Sequence, residues 1–283
     1  MKIVAAVFKQ IWITLVLALL LLALYASLGR QLAPLLESRH SQIEAWLSTW
    51  LGQEVRMTHL SASWSGLSPT LYVQGLSVAG ERGVRIDTLN VELNVVQSLI
   101  SWLPVFRFVQ VEGVQADLRF LPNKQVQLAP TWVFILPESQ QDMERPFWAV
   151  FLEQQPSMQF KDVRLSLTTL AGETSRIEAE AVQWRSKLDE HELDAKVAFG
   201  HEELAQARLQ VFLEGPLWPW HKQNGRIYLS AQTRDWAHWL PDLAQGYRFN
   251  TLEVGVEGWL DITQGDLQKA YLNIDVPKLE LAT

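Results

Sequence analysis

The 283-residue chain contains no cysteine, which excludes disulfide bonds, thiolate metal sites and cysteine nucleophiles. It also has few basic residues: 24 Lys and Arg stand against 31 Asp and Glu, for a formal net charge of -7. A surface for nucleic acid needs clustered Lys and Arg to meet the phosphates, so we expect no polynucleotide partner. Hydrophobic residues make up 48% of the chain, which is enough for a sizeable core.

Motifs that carry chemistry are missing as well. No glycine-rich stretch forms a phosphate loop, and no serine lies in a nucleophile elbow. His191 and His201 are each followed by Glu, as in a zinc-protease helix, but alanine stands four residues after each His in place of a second ligand. We therefore expect no catalytic residue, no metal site and no cofactor.

An uncharged segment runs from residue 10 to residue 29. At about 1.5 Å per residue it is long enough to cross the ~30 Å hydrocarbon layer, so residues 1–30 are predicted to be a cytoplasmic tip and a transmembrane anchor. Two lysines precede the segment, which favours a cytoplasmic N-terminus and places the body across the membrane. A cleaved signal peptide is the alternative, because Ser27-Leu28-Gly29 offers small residues, although signal-peptide apolar regions are usually shorter.

Residues 31–52 are predicted to form an amphipathic helix. Leu36, Ile43 and Leu47 recur with further apolar residues at three- and four-residue steps, and Gly52 ends the pattern. The polar face is not rich in Lys and Arg. Packing onto the body is therefore favoured over a position on the membrane surface.

Beyond residue 52 the apolar pattern changes to a period of two, which predicts β-strands with one apolar face. Turn signals lie between the strands at hairpin-like distances, which favours an antiparallel meander. The turn signals are Gly172, Gly200, Asn224-Gly225 and Gly265-Asp266. The clearest predicted strands are 86–95, 193–199, 208–214, 226–232, 251–260 and 271–276.

The β-rich body divides into three parts. We predict a first β block over 53–125, a linker with a short helix over 126–156, and a second β block over 157–283. The linker is rich in Pro and Gln and breaks the strand rhythm. The second block ends without a closing element, which is typical of a fragment of a longer protein. Few helical patterns follow residue 52: Val96–Leu103, Gln140–Glu153 and Arg234–Leu243.

Two sets of aliphatic residues are the candidate site, because alternate side chains of a strand share one face. The candidates are Leu89, Val91, Leu93 and Val95 in the first block and Leu209, Val211 and Leu213 in the second. An apolar face left in water forgoes about 1.5–3 kcal/mol for each large aliphatic side chain, so it needs a cover. A second sheet in a sandwich, a neighbouring chain and an apolar ligand along the sheet all remain open as covers.

Short segments near the N-terminus add a family resemblance. Leu60–Trp64, Ser68–Leu71 and Val96–Leu99, in this order after the anchor and helix, resemble the start of proteins of the AsmA-like family. The resemblance implies an inner-membrane protein of diderm bacteria whose periplasmic part is a long, twisted β-groove. It also implies a role in phospholipid transport between the inner and outer membranes, and hence in maintaining the outer-membrane barrier. Family members are usually much longer, so this chain would be the membrane-proximal piece of a conduit or a truncated product.

The predicted fold is mainly β: an N-terminal transmembrane helix and an amphipathic helix, followed by a twisted antiparallel β-sheet groove with a few short helices. The leading function hypothesis is a membrane-anchored periplasmic conduit for phospholipid acyl chains. The alternative is an envelope or outer-membrane protein assembly factor, with other envelope proteins as partners, that templates substrate strands on a sheet edge. An anchored hydrolase is the weakest hypothesis. A conduit needs a continuous apolar face, whereas a templating factor needs an accessible edge strand.

Overall fold

The computed structural model describes residues 27, 31, 38–65, 68–80, 83–121, 125–128, 132–135, 145, 147–168, 172, 174–200, 204–219, 222–235 and 248–282. The helices in these ranges are α1 (His40–Leu51), α2 (Val95–Ser101) and α3 (Phe147–Gln154). The strands are β1 (Val55–Arg56), β2 (His59–Ser65), β3 (Ser68–Val78), β4 (Val84–Leu93), β5 (Phe106–Glu112), β6 (Gln115–Leu121), β7 (Gln125–Leu128), β8 (Trp132–Ile135), β9 (Ser157–Thr168), β10 (Thr174–Lys187), β11 (Glu190–Gly200), β12 (Leu204–Glu214), β13 (Asn224–Asp235), β14 (Arg248–Thr263) and β15 (Asp266–Ala282). The predicted anchor, residues 1–30, lies outside these ranges apart from Ser27. Among the described helices, none combines the length and apolar character needed to cross a bilayer.

All fifteen described strands belong to one twisted, mostly antiparallel sheet. Strands β9 to β15 pair in chain order as a meander, and β3, β4 and β5 pair in chain order beside them. The two groups meet at β9, whose first half pairs in parallel with β5 and whose second half pairs in parallel with β6. The prediction of a mainly β, antiparallel body is confirmed, and these two parallel pairings are a correction to it.

The segment predicted as a linker, 126–156, contains most of β7, all of β8, and α3. It is the long crossover that parallel pairing requires, because a strand can return in the same direction only after a dozen or more residues. After β6 the chain adds β7 and β8 to the same sheet, passes through α3, and returns as β9 beside β5 and β6. The two predicted β blocks are therefore joined in a single sheet.

The predicted strand 86–95 is too long at its C-terminal end. Strand β4 stops at Leu93, and Val95 begins helix α2. The cause is Asn94, whose side-chain oxygen accepts a hydrogen bond from the Gln97 backbone N–H at 3.1 Å and so caps the helix. The predicted helix over Val96–Leu103 is confirmed as α2, shifted by one or two residues.

Two further boundaries differ from the prediction. Asn224 and Gly225 begin β13 instead of forming a turn, and the Asn224 side chain accepts a hydrogen bond from the Gln264 backbone N–H at 2.9 Å. The loop between β12 and β13 comes earlier, at 215–223. The predicted helix over Arg234–Leu243 is wrong at its start, because β13 continues to Asp235, and its remaining residues lie outside the described ranges.

Strands on one side of the sheet bulge at the same level. One extra residue interrupts the alternation within β3, β4, β9 and β10, and one lies between β1 and β2 and between β5 and β6. Three of these residues have positive φ: Gly75 (59°), Gly113 (71°) and Asp162 (50°). The ladder between β3 and β4 skips Gly75 together with its neighbour Asp87, and the ladders on both sides of β10 skip Glu180. We call this line the crease, and it consists of Thr58, Gly75, Asp87, Gly113, Asp162 and Glu180.

Helix α1 packs against the sheet, as its sequence favoured. Ile43 and Leu47 contact the buried cluster of Met57, Leu60 and Val73. Two side chains of the helix also bind the backbone at and just after β1: Ser48 accepts from the Val55 N–H at 2.8 Å, and Glu44 accepts from the Met57 N–H at 2.5 Å. Gly52 ends the helix with φ 65°, as predicted.

Helix α3 is tied to the start of β5 by a fully buried glutamine. The Gln155 side chain accepts a hydrogen bond from the Phe106 N–H at 2.8 Å and donates to the Pro104 carbonyl at 3.2 Å. Phe151 and Leu152 pack onto the cluster that contains Val109, Val111 and Met158. This helix therefore covers the sheet next to the parallel pairing.

Candidate functional site: the apolar face of the sheet

Directly opposed residues of neighbouring strands build one continuous apolar row from β2 to β15. Partners across a strand pair lie on the same face, so a chain of such pairs stays on one face of the whole sheet. The first row consists of Leu60, Val73, Leu89, Val111, Phe160, Val182, Ala195, Leu209, Leu229, Gly258 and Leu272.

A second row runs beside the first, two residues further along each strand. It consists of Ala62, Leu71, Val91, Val109, Met158, Trp184, Leu193, Val211, Ile227, Leu260 and Ala270. At about 4.8 Å between strands, rows that cross this many strands extend for roughly 50 Å. We call the surface formed by the two rows the apolar face.

The structure brings most of the sequence-predicted site residues together. Leu89 and Leu209 lie in the first row, and Val91 and Val211 lie in the second, although about 120 positions separate the pairs. The sequence alone had left open whether the two sets share a sheet. They lie on the same face of one sheet.

The remaining predicted residues lie at or beyond the margin of the face. Leu93 is opposite Phe106 at the end of β4, next to a break in the ladder. Leu213 lies in a shorter third row, opposite His191 and Gly225. Val95 belongs to α2 and is not part of the face, because Asn94 caps the helix at that point.

Cover on the apolar face decreases along the sheet. Val109, Val111 and Met158 are buried, and the core clusters reach as far as Trp184 and Leu213 under α3. Further along the rows, Leu229 in β13 is 37% exposed and Leu272 in β15 is 52% exposed. Because the described strands form one sheet, no second sheet covers this face within the described ranges. The sandwich alternative is therefore not what these residues form.

The opposite face of the sheet is polar and carries ion pairs. Arg208 binds Asp194 through two hydrogen bonds of 2.9 and 3.2 Å, and this guanidinium lowers the pKa of the Asp194 carboxyl. Arg226 binds Asp261 at 2.6 Å across β13 and β14. Residues between the two apolar rows are mostly polar, which fits a face in contact with water. They are Asn90, Gln110, Gln159, Gln183, Asp194, Gln210, Tyr228, Trp259 and Tyr271.

His191, considered above for its zinc-protease-like dipeptide, has a packing role. It is buried at the margin of the apolar face, with its ring stacked on Trp184 at 5.6 Å between centroids. Its Nε2 lies 3.0 Å from the Gly215 carbonyl and its Nδ1 lies 2.9 Å from the Ser186 hydroxyl. Burial lowers the pKa of His191, against the opposing effects of the Gly215 carbonyl and the charge of Asp189.

Sequence reasoning missed the centre of the apolar face, which β9 and β10 supply. In β9 the apolar residues are Met158 and Phe160 before the crease and Val163 and Leu165 after it. The bulge at Asp162 shifts the alternation from even to odd numbers, so no unbroken run of period two exists. The signal in the sequence that could have identified β9 is a pair of short apolar alternations, the second of which is displaced by one residue from the first.

These features define a class of protein: a single extended β-sheet with one continuous apolar face, partly covered by short helices. A family profile described as "YhdP protein" matches residues 1–283, and the chain belongs to this family. The AsmA-like resemblance predicted from the sequence is thereby confirmed. The chain is similar to the intermembrane phospholipid transporter YhdP of Escherichia coli (strain K12), with 25% identity over 260 residues. The similarity covers 88% of this chain and 19% of that relative, so the chain spans about a fifth of its length. No solved structure matches the chain.

Proposed function

We propose that this chain is the membrane-proximal part of a phospholipid conduit and that its apolar face carries acyl chains. The observation that supports the proposal best is the pair of apolar rows that cross the sheet from β2 to β15 without a charged residue. A relative named as a phospholipid transporter adds support at the level of the family. The proposal assigns no catalytic reaction to the chain.

The energetics favour a continuous face over isolated apolar patches. Each acyl methylene costs about 0.8 kcal/mol in water, so a chain of roughly 15 methylenes costs on the order of 12 kcal/mol. A lipid that moves along the face keeps its methylenes in apolar contact at every step, so this cost never has to be met at once. The partly exposed side chains Leu229 and Leu272 are the kind of surface that such contact requires.

The proposal includes a position in the cell envelope. Residues 10–29 anchor the chain in the inner membrane as a single span, the N-terminus is cytoplasmic, and the body from about residue 31 is periplasmic. The uncharged segment and the two preceding lysines support this topology. Protease added to intact spheroplasts should digest the body, and a body that resists digestion until lysis would contradict the topology.

A photo-crosslinking amino acid at Val91 tests the conduit directly. Val91 lies in the second apolar row, and its neighbour Asn90 on the opposite face is the matched control. In folded, membrane-inserted protein we expect the probe at Val91 to label phospholipid and the probe at Asn90 to label much less. Crosslinks from Val91 confined to protein would contradict the proposal.

One observation favours the alternative, an envelope assembly factor. Strand β15 spans Asp266–Ala282, stands last in the strand order and has β14 as its neighbour within the described ranges. A long edge strand presents backbone N–H and C=O groups that can pair with a strand of another protein. Mass spectrometry of gently purified protein separates the two functions, because a conduit should co-purify with phospholipid and an assembly factor with outer-membrane protein.

A further inference from the structure

A loop outside the apolar face exposes a second apolar surface. It consists of residues 94–105 between β4 and β5, and we call it the Trp102 loop. Val96, Leu99 and Ile100 lie on one side of α2, at the spacing of successive helical turns, and all three are exposed. Trp102 follows the helix with 91% of its surface exposed. Residues 93–106 contain no charged side chain.

Hydrogen bonds within the loop close its base and occupy several of its backbone polar groups. The Asn94 N–H donates to the Val105 carbonyl at 2.8 Å, and the Val105 N–H donates to the Ser98 hydroxyl at 2.9 Å. The Ser101 hydroxyl donates to the Gln97 carbonyl at 2.8 Å. A segment that enters a bilayer needs such internal partners, because the acyl region offers its backbone none.

The most exposed side chain stands on an unfavourable backbone conformation. Trp102 has φ 56°, in the left-handed region that favours Gly and Asn over other residues. In water a tryptophan at this position forgoes burial and adds backbone strain. Tryptophan is enriched at interfaces between water and lipid, because its ring is amphipathic, and such an interface would account for an exposed Trp at this position.

Helix α1 has its N-terminus towards one end of the sheet. Ser48 bonds beside Val55 and Glu44 bonds beside Met57, so towards its N-terminus the helix advances in the direction of β2. This direction leads to the end of the sheet where β2 turns into β3 and where β4 ends at Leu93. The Trp102 loop lies at the same end. Ten residues separate position 30 from His40, and they reach at most about 35 Å.

We propose that the Trp102 loop inserts into the interfacial layer of the phospholipid bilayer that holds residues 10–29. The occupant follows from the absence of charge in the loop, the hydrogen bonds within it, and the direction of helix α1, whose N-terminus faces the same end of the sheet. A shallow apolar insertion of this kind is how membrane-surface helices bind. The inference rests on the membrane anchor proposed above and goes beyond the conduit, since it concerns residues outside the apolar face. The insertion would hold the end of the sheet with the β2–β3 turn and the end of β4 against the lipid source.

The absence of cysteine allows a direct test on the full chain. A single cysteine introduced as Ile100→Cys is labelled with an environment-sensitive dye, and the protein is reconstituted into vesicles of phosphatidylethanolamine and phosphatidylglycerol. Some vesicles contain phospholipid with a nitroxide on the acyl chain near the headgroup. The matched control is Gln206→Cys, an exposed position near the opposite end of the sheet. We expect nitroxide lipid to quench the dye at position 100 and not the dye at 206.

A variant of the loop separates insertion from mere proximity to the membrane. Trp102→Asn removes the ring and keeps a residue that tolerates positive φ, so the loop should stay folded. Combined with Leu99→Ser, it should lower the quenching at position 100 to the level seen at 206. Unquenched dye at position 100 that is open to iodide would overturn the proposal. Dye shielded from iodide but not quenched by nitroxide lipid would indicate a protein contact and overturn it too. Labelling of lipid from Val91 tests the conduit separately, because that residue is not in the loop.

Discussion

Replacing Leu229 with Asp tests the apolar face without relying on a buried position. Leu229 lies in the first apolar row and is already 37% exposed, so a carboxylate there stays hydrated and the fold should survive. The neighbouring Ser230→Asp is the matched control, because Ser230 points to the polar face opposite Arg208. The two variants add the same charge one residue apart on opposite faces.

The expected magnitudes differ for stability and for lipid contact. A fully buried Leu contributes about 1.5–3 kcal/mol, so the partly buried Leu229 should cost about 1–2 kcal/mol when it is replaced. A domain with 5–15 kcal/mol of stability remains folded after such a loss. If the carboxylate keeps three methylenes off the face, lipid contact weakens by about 2.4 kcal/mol, which corresponds to about 50-fold.

The assay is photo-crosslinking of phospholipid from position Leu209, which lies directly opposite Leu229 on β12. Leu229→Asp should reduce lipid labelling by about 50-fold, while Ser230→Asp should leave it close to the unmodified protein. Thermal unfolding of each variant checks that the fold is retained. Unchanged labelling in a folded Leu229→Asp protein, or an equal loss in Ser230→Asp, would refute the assignment of the face to lipid.

Three other predictions concern the framework, and each is measured by urea unfolding of the full chain in detergent. Gly113→Ala should lower the free energy of unfolding by about 1–3 kcal/mol more than Gly80→Ala. The two glycines have similar φ, 71° and 69°, but a Cβ at position 113 would lie 2.6 Å from the Asp87 Cβ, whereas a Cβ at position 80 would have no atom within 4 Å. Equal losses would contradict a close-packed crease. Gln155→Leu should cost about 1–3 kcal/mol for each backbone group that it leaves buried and unpaired, and no loss would mean that water reaches them. Burial lowers the pKa of His191 below 6.5, so the unfolded chain takes up the proton more readily than the folded chain. The contribution of His191 to the free energy of unfolding should therefore be fully present above about pH 6.5 and decrease as the pH falls towards the folded pKa. His191→Gln should flatten this pH dependence, and an unchanged slope would show that other groups cause it.

The part of the fold that could be predicted is the part where alternation is unbroken. Strand β11 passes the level of the crease without a bulge, so Leu193, Ala195 and Val197 form a clear period of two and the strand was identified. Strand β10 has the same kind of residues, but the bulge at Glu180 divides them into Ile177 and Ala179 before it and Val182 after it. Each half is too short to stand out as a strand.

Other features depend on information that local patterns do not contain. The parallel pairing of β9 with β5 joins positions about 50 residues apart, and nothing in either strand specifies the partner or its direction. The helical start at Val95 was different, since a capping signal was present: Asn94 is followed three residues later by Gln97. Strand alternation from Leu89 to Val95 competed with that signal, and the cap determined the structure.

The crease has a consequence for insertions and deletions. In each strand that passes the crease, the residues on the apolar face change from odd to even numbers, or from even to odd. All these strands change at the same level, so neighbouring strands remain in register. Deleting Asp162 alone would turn Val163 and Leu165 outward while their partners in β10 stayed inward. A length change is therefore tolerated only if the adjoining strands change together. The strands that carry the crease, from Thr58 to Glu180, thus form a unit in which every strand must keep its extra residue for the others to stay in register. The unit ends at β11, which has no extra residue at this level.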